Sequence, residues 1–227
     1  ALQNECFVRV TARASNEEEA LTMMQPLIEK IRARLGTYLY TEEDGSLEET
    51  VVHAAMRRHM TLATAESCTG GLLSERLTAV PGSSEVFEMG AVTYANRIKE
   101  QVLGVSAHTL QTYGAVSVQT ACQMAQGIRR AAGSDLGIGI TGIAGPGGGT
   151  DEKPVGLVYI ALTDGVHTWV RRMPGHTGPA RSRAFYRYAA ASHALDMARR
   201  VLMDLPMQEN PEFPRAEWLP AAMDEKG

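Results

Sequence analysis

The chain has 227 residues, with 22 Lys or Arg against 26 Asp or Glu, a formal net charge of −4, 44% hydrophobic and 21% charged residues. That balance belongs to an ordinary globular protein and excludes intrinsic disorder and collagen, while the mild acidity argues against a dedicated nucleic-acid binder. No stretch approaches the ~20 apolar residues of a spanning helix, no secretory leader is visible, and three scattered cysteines (Cys6, Cys68, Cys122) make neither a disulfide framework nor a zinc site.

The expectation is a cytoplasmic protein with no direct nucleic-acid or membrane partner. At roughly 100–200 residues per domain, the length allows one large domain or a small one followed by a medium one. Cys6 to Ala12 alternates Phe7/Arg9/Thr11 with Val8/Val10/Ala12, the period of a half-buried strand. Ser15 stands three residues before Glu18 in capping-box spacing, and Leu21, Met24, Leu27, Ile28, Ile31 and Leu35 follow at helical spacing until Gly36. Residues 37–40 read as a second short strand. Residues 1–41 thus predict a strand-helix-strand unit, too small to bury a core alone. Its Phe7, Val8, Met24 and Leu27 would leave an apolar patch that a second copy could cover, so a homodimer is expected.

The acidic turn at 42–46 reads as a linker, and Ser46 with Glu49 marks a second capping box. Beyond it strands at 61–65, 87–94, 136–141, 155–162 and 167–172 alternate with helices at 71–77, 97–103, 118–132 and 181–205. This predicts an α/β fold: three layers, helices on both faces of a mixed, mostly parallel sheet. The Asp164-Gly165 turn predicts a hairpin inside it. The tail, 206–227, carries Pro206, Pro211, Pro214 and Pro220 and should be extended, with Trp218 as its anchor.

Two glycine-bearing turns could carry chemistry. Thr64-Ala-Glu-Ser-Cys-Thr-Gly-Gly71 joins a strand to a helix, so Ser67 could present its hydroxyl at the sheet's carboxyl edge beside amide donors. Ser67 or Thr69 could equally serve only as an N-cap. The second, Gly139 to Thr150, has six glycines in twelve positions. It could cradle an anion with its backbone, yet it lacks the Lys-Ser/Thr end of a P-loop and a flexible surface loop explains it as well. Lys99 follows Tyr94, and a buried lysine near a serine can act as general base, although most lysines are solvated. Arg183 and Arg187 lie four apart, on one helix face.

In order along the chain come Thr64–Gly71, Val92-Thr-Tyr-Ala-Asn96 with Lys99, Leu103-Gly-Val105, Tyr113-Gly-Ala-Val-Ser117, Gly139-Ile-Thr-Gly-Ile-Ala-Gly-Pro146 and Lys153-Pro-Val-Gly156. This set resembles the C-terminal domain of the competence/damage-inducible protein CinA, the nicotinamide-nucleotide amidohydrolase (PncC-type) family, over residues 47–205. Residues 1–41 resemble the end of that family's KH-like middle domain. The resemblance implies hydrolysis of nicotinamide mononucleotide to nicotinate mononucleotide and ammonia, in pyridine-nucleotide salvage, with no metal or cofactor. It implies Ser67 as nucleophile, Lys99 as its base and Tyr94 beside them. Amides of Cys68, Thr69 and Gly70 would meet the oxyanion. Thr141, Gly142 and Gly145 of the glycine loop, with an arginine at the start of the last helix, would meet the substrate. The family's Gly-Asp-Arg reads Gly175-His-Thr-Gly-Pro-Ala-Arg181-Ser-Arg183 here, which favours Arg183 and leaves Arg181 as the alternative. A nucleotide-binding or competence-related interaction module without turnover is the competing implication.

Overall fold

A computed structural model of the chain describes residues 5–175, 181–207 and 217–219. It divides into two units, Ala1–Ser46 and Leu47–Gly227.

In the first unit, α1 (Glu17–Leu35) starts one residue later than its expected cap. Asn16, not Ser15, accepts the Glu19 amide at 2.9 Å, and the Glu19 carboxylate reaches back to the Ser15 amide at 3.0 Å. The N-cap half of a capping box is therefore present one residue late, while the Glu19 carboxylate takes the amide before the cap instead of the cap's own. The two expected strands are not. Residues 6–14 form no ladder, and 36–38 make a single 3-10 turn after Gly36 takes a φ of +51°. Along 9–14 exposure still alternates, with Val10 and Ala12 half-buried and Arg9 and Thr11 exposed. The period-two pattern fixes which side chains share a face, but a strand also needs a partner for its backbone groups. No residue of α1 is buried.

The second unit runs α2 (Leu47–Arg58), β1 (Leu62–Glu66), α3 (Leu72–Thr78), β2 (Phe87–Val92), α4 (Asn96–Leu103), α5 (Ala107–Thr112), α6 (Val118–Ala132), β3 (Leu136–Gly142), β4 (Leu157–Thr163), β5 (Thr168–Pro174), α7 (Arg183–Leu202) and β6 (Glu217–Leu219). The six strands lie in the order β2-β1-β3-β4-β5-β6. Helix α5 has no counterpart in the sequence reading, because six residues are too few to display a helical period.

The sheet is mixed, as expected, but its parallel part is confined to β2-β1-β3. The pairings β3-β4, β4-β5 and β5-β6 are antiparallel. The hairpin between β4 and β5 turns on Asp164, whose Oδ1 accepts the amides of Val166 and His167 at 2.8 and 2.6 Å. The tail does more than extend: residues 217–219 add the sixth strand, with Trp218 opposite Arg171 in the register. The rest of the expected extended tail, 208–216 and 220–227, lies outside the described residues, as do residues 176–180 before α7.

Three layers form as expected. Helix α6 packs on β1, β3 and β4 with α4 against it, while α2, α3 and α7 make the other layer. Gly139 decides how closely α6 can lie: a Cβ there would stand 2.5 Å from the Ala121 carbonyl oxygen. On the opposite face α7 is tied to β5 through one carboxylate. Asp196 accepts from Arg171, Arg199 and Arg200 at 3.0, 2.7 and 2.9 Å, and all three arginines are fully buried. Among the described residues no helix is long and apolar enough to cross a membrane.

Candidate active site

Strands β1 and β2 are parallel neighbours, and the helices that follow them leave to opposite faces, α3 to one and α4 to the other. Such a divergence opens a crevice at the carboxyl ends of the strands, the usual ligand position in an open α/β sheet. Ser67 stands at the end of β1. Its amide donates to the Ile140 carbonyl at 3.0 Å, which holds it beside the end of β3. The Thr93 amide donates to Glu66 C=O at 2.9 Å, which holds the end of β2 on the other side.

Lys99, on the first turns of α4, is 1% exposed. Its Nζ lies 2.9 Å from the Thr93 carbonyl, 3.1 Å from the Tyr94 carbonyl and 3.4 Å from Ser67 Oγ. Burial lowers its pKa below the ordinary 10.5. A neutral lysine has two hydrogens and one lone pair. Two carbonyls take the two hydrogens, which leaves the lone pair for the Ser67 hydroxyl. That is the geometry of a general base on a nucleophile. The neighbouring thiol does not compete: burial pushes Cys68 up to about 12, so it stays protonated and unreactive.

The amides of the turn differ from the sequence expectation. Glu66, fully buried, reaches over the start of α3 and accepts from the amides of Gly71, Leu73 and Ser74 at 3.0, 3.1 and 2.8 Å and from Ser74 Oγ at 2.7 Å. The helix start is thus sealed by the chain's own carboxylate. The Gly70 amide turns back to Ser67 C=O at 3.1 Å, so it is not an oxyanion donor here. The amides of Cys68 and Thr69 donate to no other residue among the described ones; Thr69 is fully buried, so the Cys68 amide remains as the donor of this turn.

Thr141 is also placed differently. Its side chain is buried, and Oγ1 donates to Ala115 C=O at 2.6 Å, so it anchors the Tyr113–Ser117 turn instead of offering a hydrogen to a ligand. Lys153 Nζ holds the same turn through the carbonyls of Tyr113 and Val116, at 2.8 and 2.9 Å. Gly142 ends β3, where a Cβ would meet Val158 Cγ2 at 2.6 Å, and Gly145 C=O accepts from Arg183 Nη1 at 2.8 Å. Arg183 Nη2 donates to Tyr94 Oη at 3.0 Å. Arg183 therefore links the glycine loop to the tyrosine that neighbours the lysine, at the exposed rim of the site. Arg181 lies outside this chain of bonds, with its guanidinium 4.5 Å from the Phe185 ring centroid.

The structure thus brings Ser67, Lys99, Tyr94, Gly145 and Arg183 together, and gives Thr141 and Gly70 to the scaffold. Sequence reasoning missed three contributors. Glu66 could have been found from its place between a strand and a helix start, where a carboxylate is favoured. Lys153 stood in a motif but showed no partner. Arg187 was noted only for sharing a face with Arg183; it donates Nε and Nη2 to Thr69 C=O at 3.1 and 2.6 Å.

A family model described as the CinA C-terminal domain matches residues 44–202, and one described as the damage-inducible protein CinA KH domain matches residues 1–41. A CinA-like protein of Desulfovibrio desulfuricans is 50% identical over 204 residues, covering 90% of this chain and 48% of its own length. A CinA-like protein of Kosmotoga olearia is 46% identical over 205 residues, with 90% and 49% covered. The chain spans about half the length of these curated relatives. Among solved structures, the competence/damage inducible protein CihA from Agrobacterium tumefaciens matches with a TM-score of 0.65 and 41% identity, covering 69% of this chain and 93% of that one. A CinA superfamily protein from Klebsiella pneumoniae matches with a TM-score of 0.65 and 35% identity, covering 70% and 96%.

Proposed function

The chain belongs to the CinA family, and on that footing we propose that it is a nicotinamide-nucleotide amidohydrolase of the Ser-Lys type. The observation that carries the reading is the Lys99 amine, buried, bonded to two carbonyls and 3.4 Å from Ser67 Oγ. In its neutral form Lys99 takes the Ser67 proton while Oγ attacks the carboxamide carbon of nicotinamide mononucleotide. The Cys68 amide receives the oxyanion, a contact whose loss costs ~10²–10³ in rate. The lysine then passes its proton to the carboxamide nitrogen, the C–N bond breaks, and ammonia leaves an ester on Oγ. Water adds to the ester with Lys99 as base, and nicotinate mononucleotide departs as the proton returns to Ser67. Arg183, on the exposed rim, supplies the positive charge for the phosphate, and Tyr94 orients it.

The test is release of ammonia and nicotinate mononucleotide from nicotinamide mononucleotide by the purified chain. Ser67→Ala should abolish both while the protein keeps its melting temperature. Wild-type turnover by Ser67→Ala would remove the nucleophile assignment. Saturable binding of the nucleotide by the wild-type chain without ammonia release would instead favour the binding-module reading.

A further inference from the structure

Arg187 is half-buried on α7, one turn beyond Arg183. No carboxylate pairs with it among the described residues; two of its N–H groups converge on one neutral acceptor, the Thr69 carbonyl, at 3.1 and 2.6 Å. That carbonyl belongs to the peptide whose N–H is Gly70's. The Gly70 amide in turn donates to the Ser67 carbonyl at 3.1 Å, and that carbonyl belongs to the peptide whose N–H is Cys68's. Arg187, the Thr69–Gly70 peptide and the Ser67–Cys68 peptide therefore form one hydrogen-bonded series. Its last member is the Cys68 amide, which donates to no other residue among the described ones.

A cation at one end of such a series polarises each peptide in turn, so the final N–H becomes a stronger donor. The series also fixes both peptide planes. Gly70 has a φ of +60°, the left-handed backbone that glycine adopts without strain, which sets the orientation of the two peptides. We propose that Arg187 is the positioning residue of the nucleophile turn, aligning and polarising the Cys68 amide for the oxyanion without touching the substrate. This rests on the reading of Ser67 as nucleophile. It separates two arginines one helical turn apart: Arg183 meets the substrate and Arg187 prepares the turn.

The experiment measures kcat and KM for nicotinamide mononucleotide, and the rate at which a fluorophosphonate labels Ser67, in the wild type, Arg187→Lys and Arg187→Ala. Labelling passes through a charged intermediate at the same turn and does not depend on the natural substrate. The expected result is a kcat loss of about 10- to 100-fold, within the ~10² that a slightly misplaced catalytic group costs, with KM within about threefold because no substrate contact is removed. The labelling rate should fall in parallel, and millimolar guanidinium salts should restore part of it in Arg187→Ala. Arg187→Lys, which keeps the charge but can place fewer donors on Thr69, keeps the test open should Arg187→Ala not fold. Unchanged kcat and labelling in Arg187→Ala, or in Arg187→Lys if Arg187→Ala does not fold, would overturn the proposal, as would a change confined to KM. A wild type labelled at Ser67 but inactive on the nucleotide would defeat the assigned substrate, with the labelling comparison still deciding Arg187. A wild type unlabelled at Ser67 would defeat both.

Discussion

Replacing Lys99 with Met separates the roles assigned to this side chain most sharply. The side chain is 1% exposed, so methionine, of similar length and unbranched, fills the space. The amine's bonds to Thr93 C=O and Tyr94 C=O are lost, and a buried acceptor left unsatisfied costs about 1–3 kcal/mol. Against that, the variant no longer buries an ionisable group, so the net change in stability should be small. The rate should not be spared: a positioned general base contributes ~10²–10⁴, and kcat should fall by that factor while KM stays within about threefold. The pH profile supplies an independent sign. Burial lowers the Lys99 pKa below 10.5 and the neutral amine is the working form, so kcat should be full above that lowered pKa and lost as pH falls through it. The same shift links to folding. Between the lowered pKa and 10.5 the unfolded chain binds more protons than the folded one, so stability should rise with pH across that window in the wild type, and this rise should vanish in Lys99→Met. Ammonia release and chemical denaturation, each from about pH 6 to about pH 11.5, read both effects. A Lys99→Met protein with kcat within threefold of wild type, or a rising limb centred at or above 10.5, would refute the reasoning.

Other outcomes follow from the geometry. Arg183→Ala should raise KM for nicotinamide mononucleotide about 10-fold or more with a smaller change in kcat, while Arg181→Ala should change neither; equal turnover of free nicotinamide would argue against a phosphate contact. Asp196→Asn removes the carboxylate shared by three buried arginines and should destabilise the fold by about 3–5 kcal/mol in denaturant titration. The arginines hold Asp196 well below the usual carboxylate range, against the opposing effect of burial. In the wild type its contribution is therefore present above about pH 4 and lost as pH falls further; a variant as acid-stable as wild type would contradict this. Finally, Phe7, Val8 and Leu27 are at least half exposed, and light scattering should report a homodimer; a 24.5 kDa monomer at high concentration would rule it out.

The sequence by itself determined the alternation of strands and helices in the second unit, the hairpin at Asp164-Gly165, and the order of motifs that carries Ser67, Tyr94 and Lys99. These features are local: a hydrophobic period, a turn residue or a motif is written in a few consecutive positions. What depends on a distant partner was decided only by the tertiary structure. The period-two run at 6–12 forms no strand, because alternation does not supply a neighbouring ladder. Gly70 and Thr141 belong to the scaffold because their donors meet Ser67 and Ala115 first. Glu66 and Arg187 enter the site because a buried carboxylate needs several donors and a guanidinium seeks an acceptor, and packing brings α3 to the first and Thr69 to the second. Lys99 looks like any solvated lysine in the sequence. Its chemistry arises from burial between β2 and α4, where two carbonyls and a serine are the groups that its amine can reach.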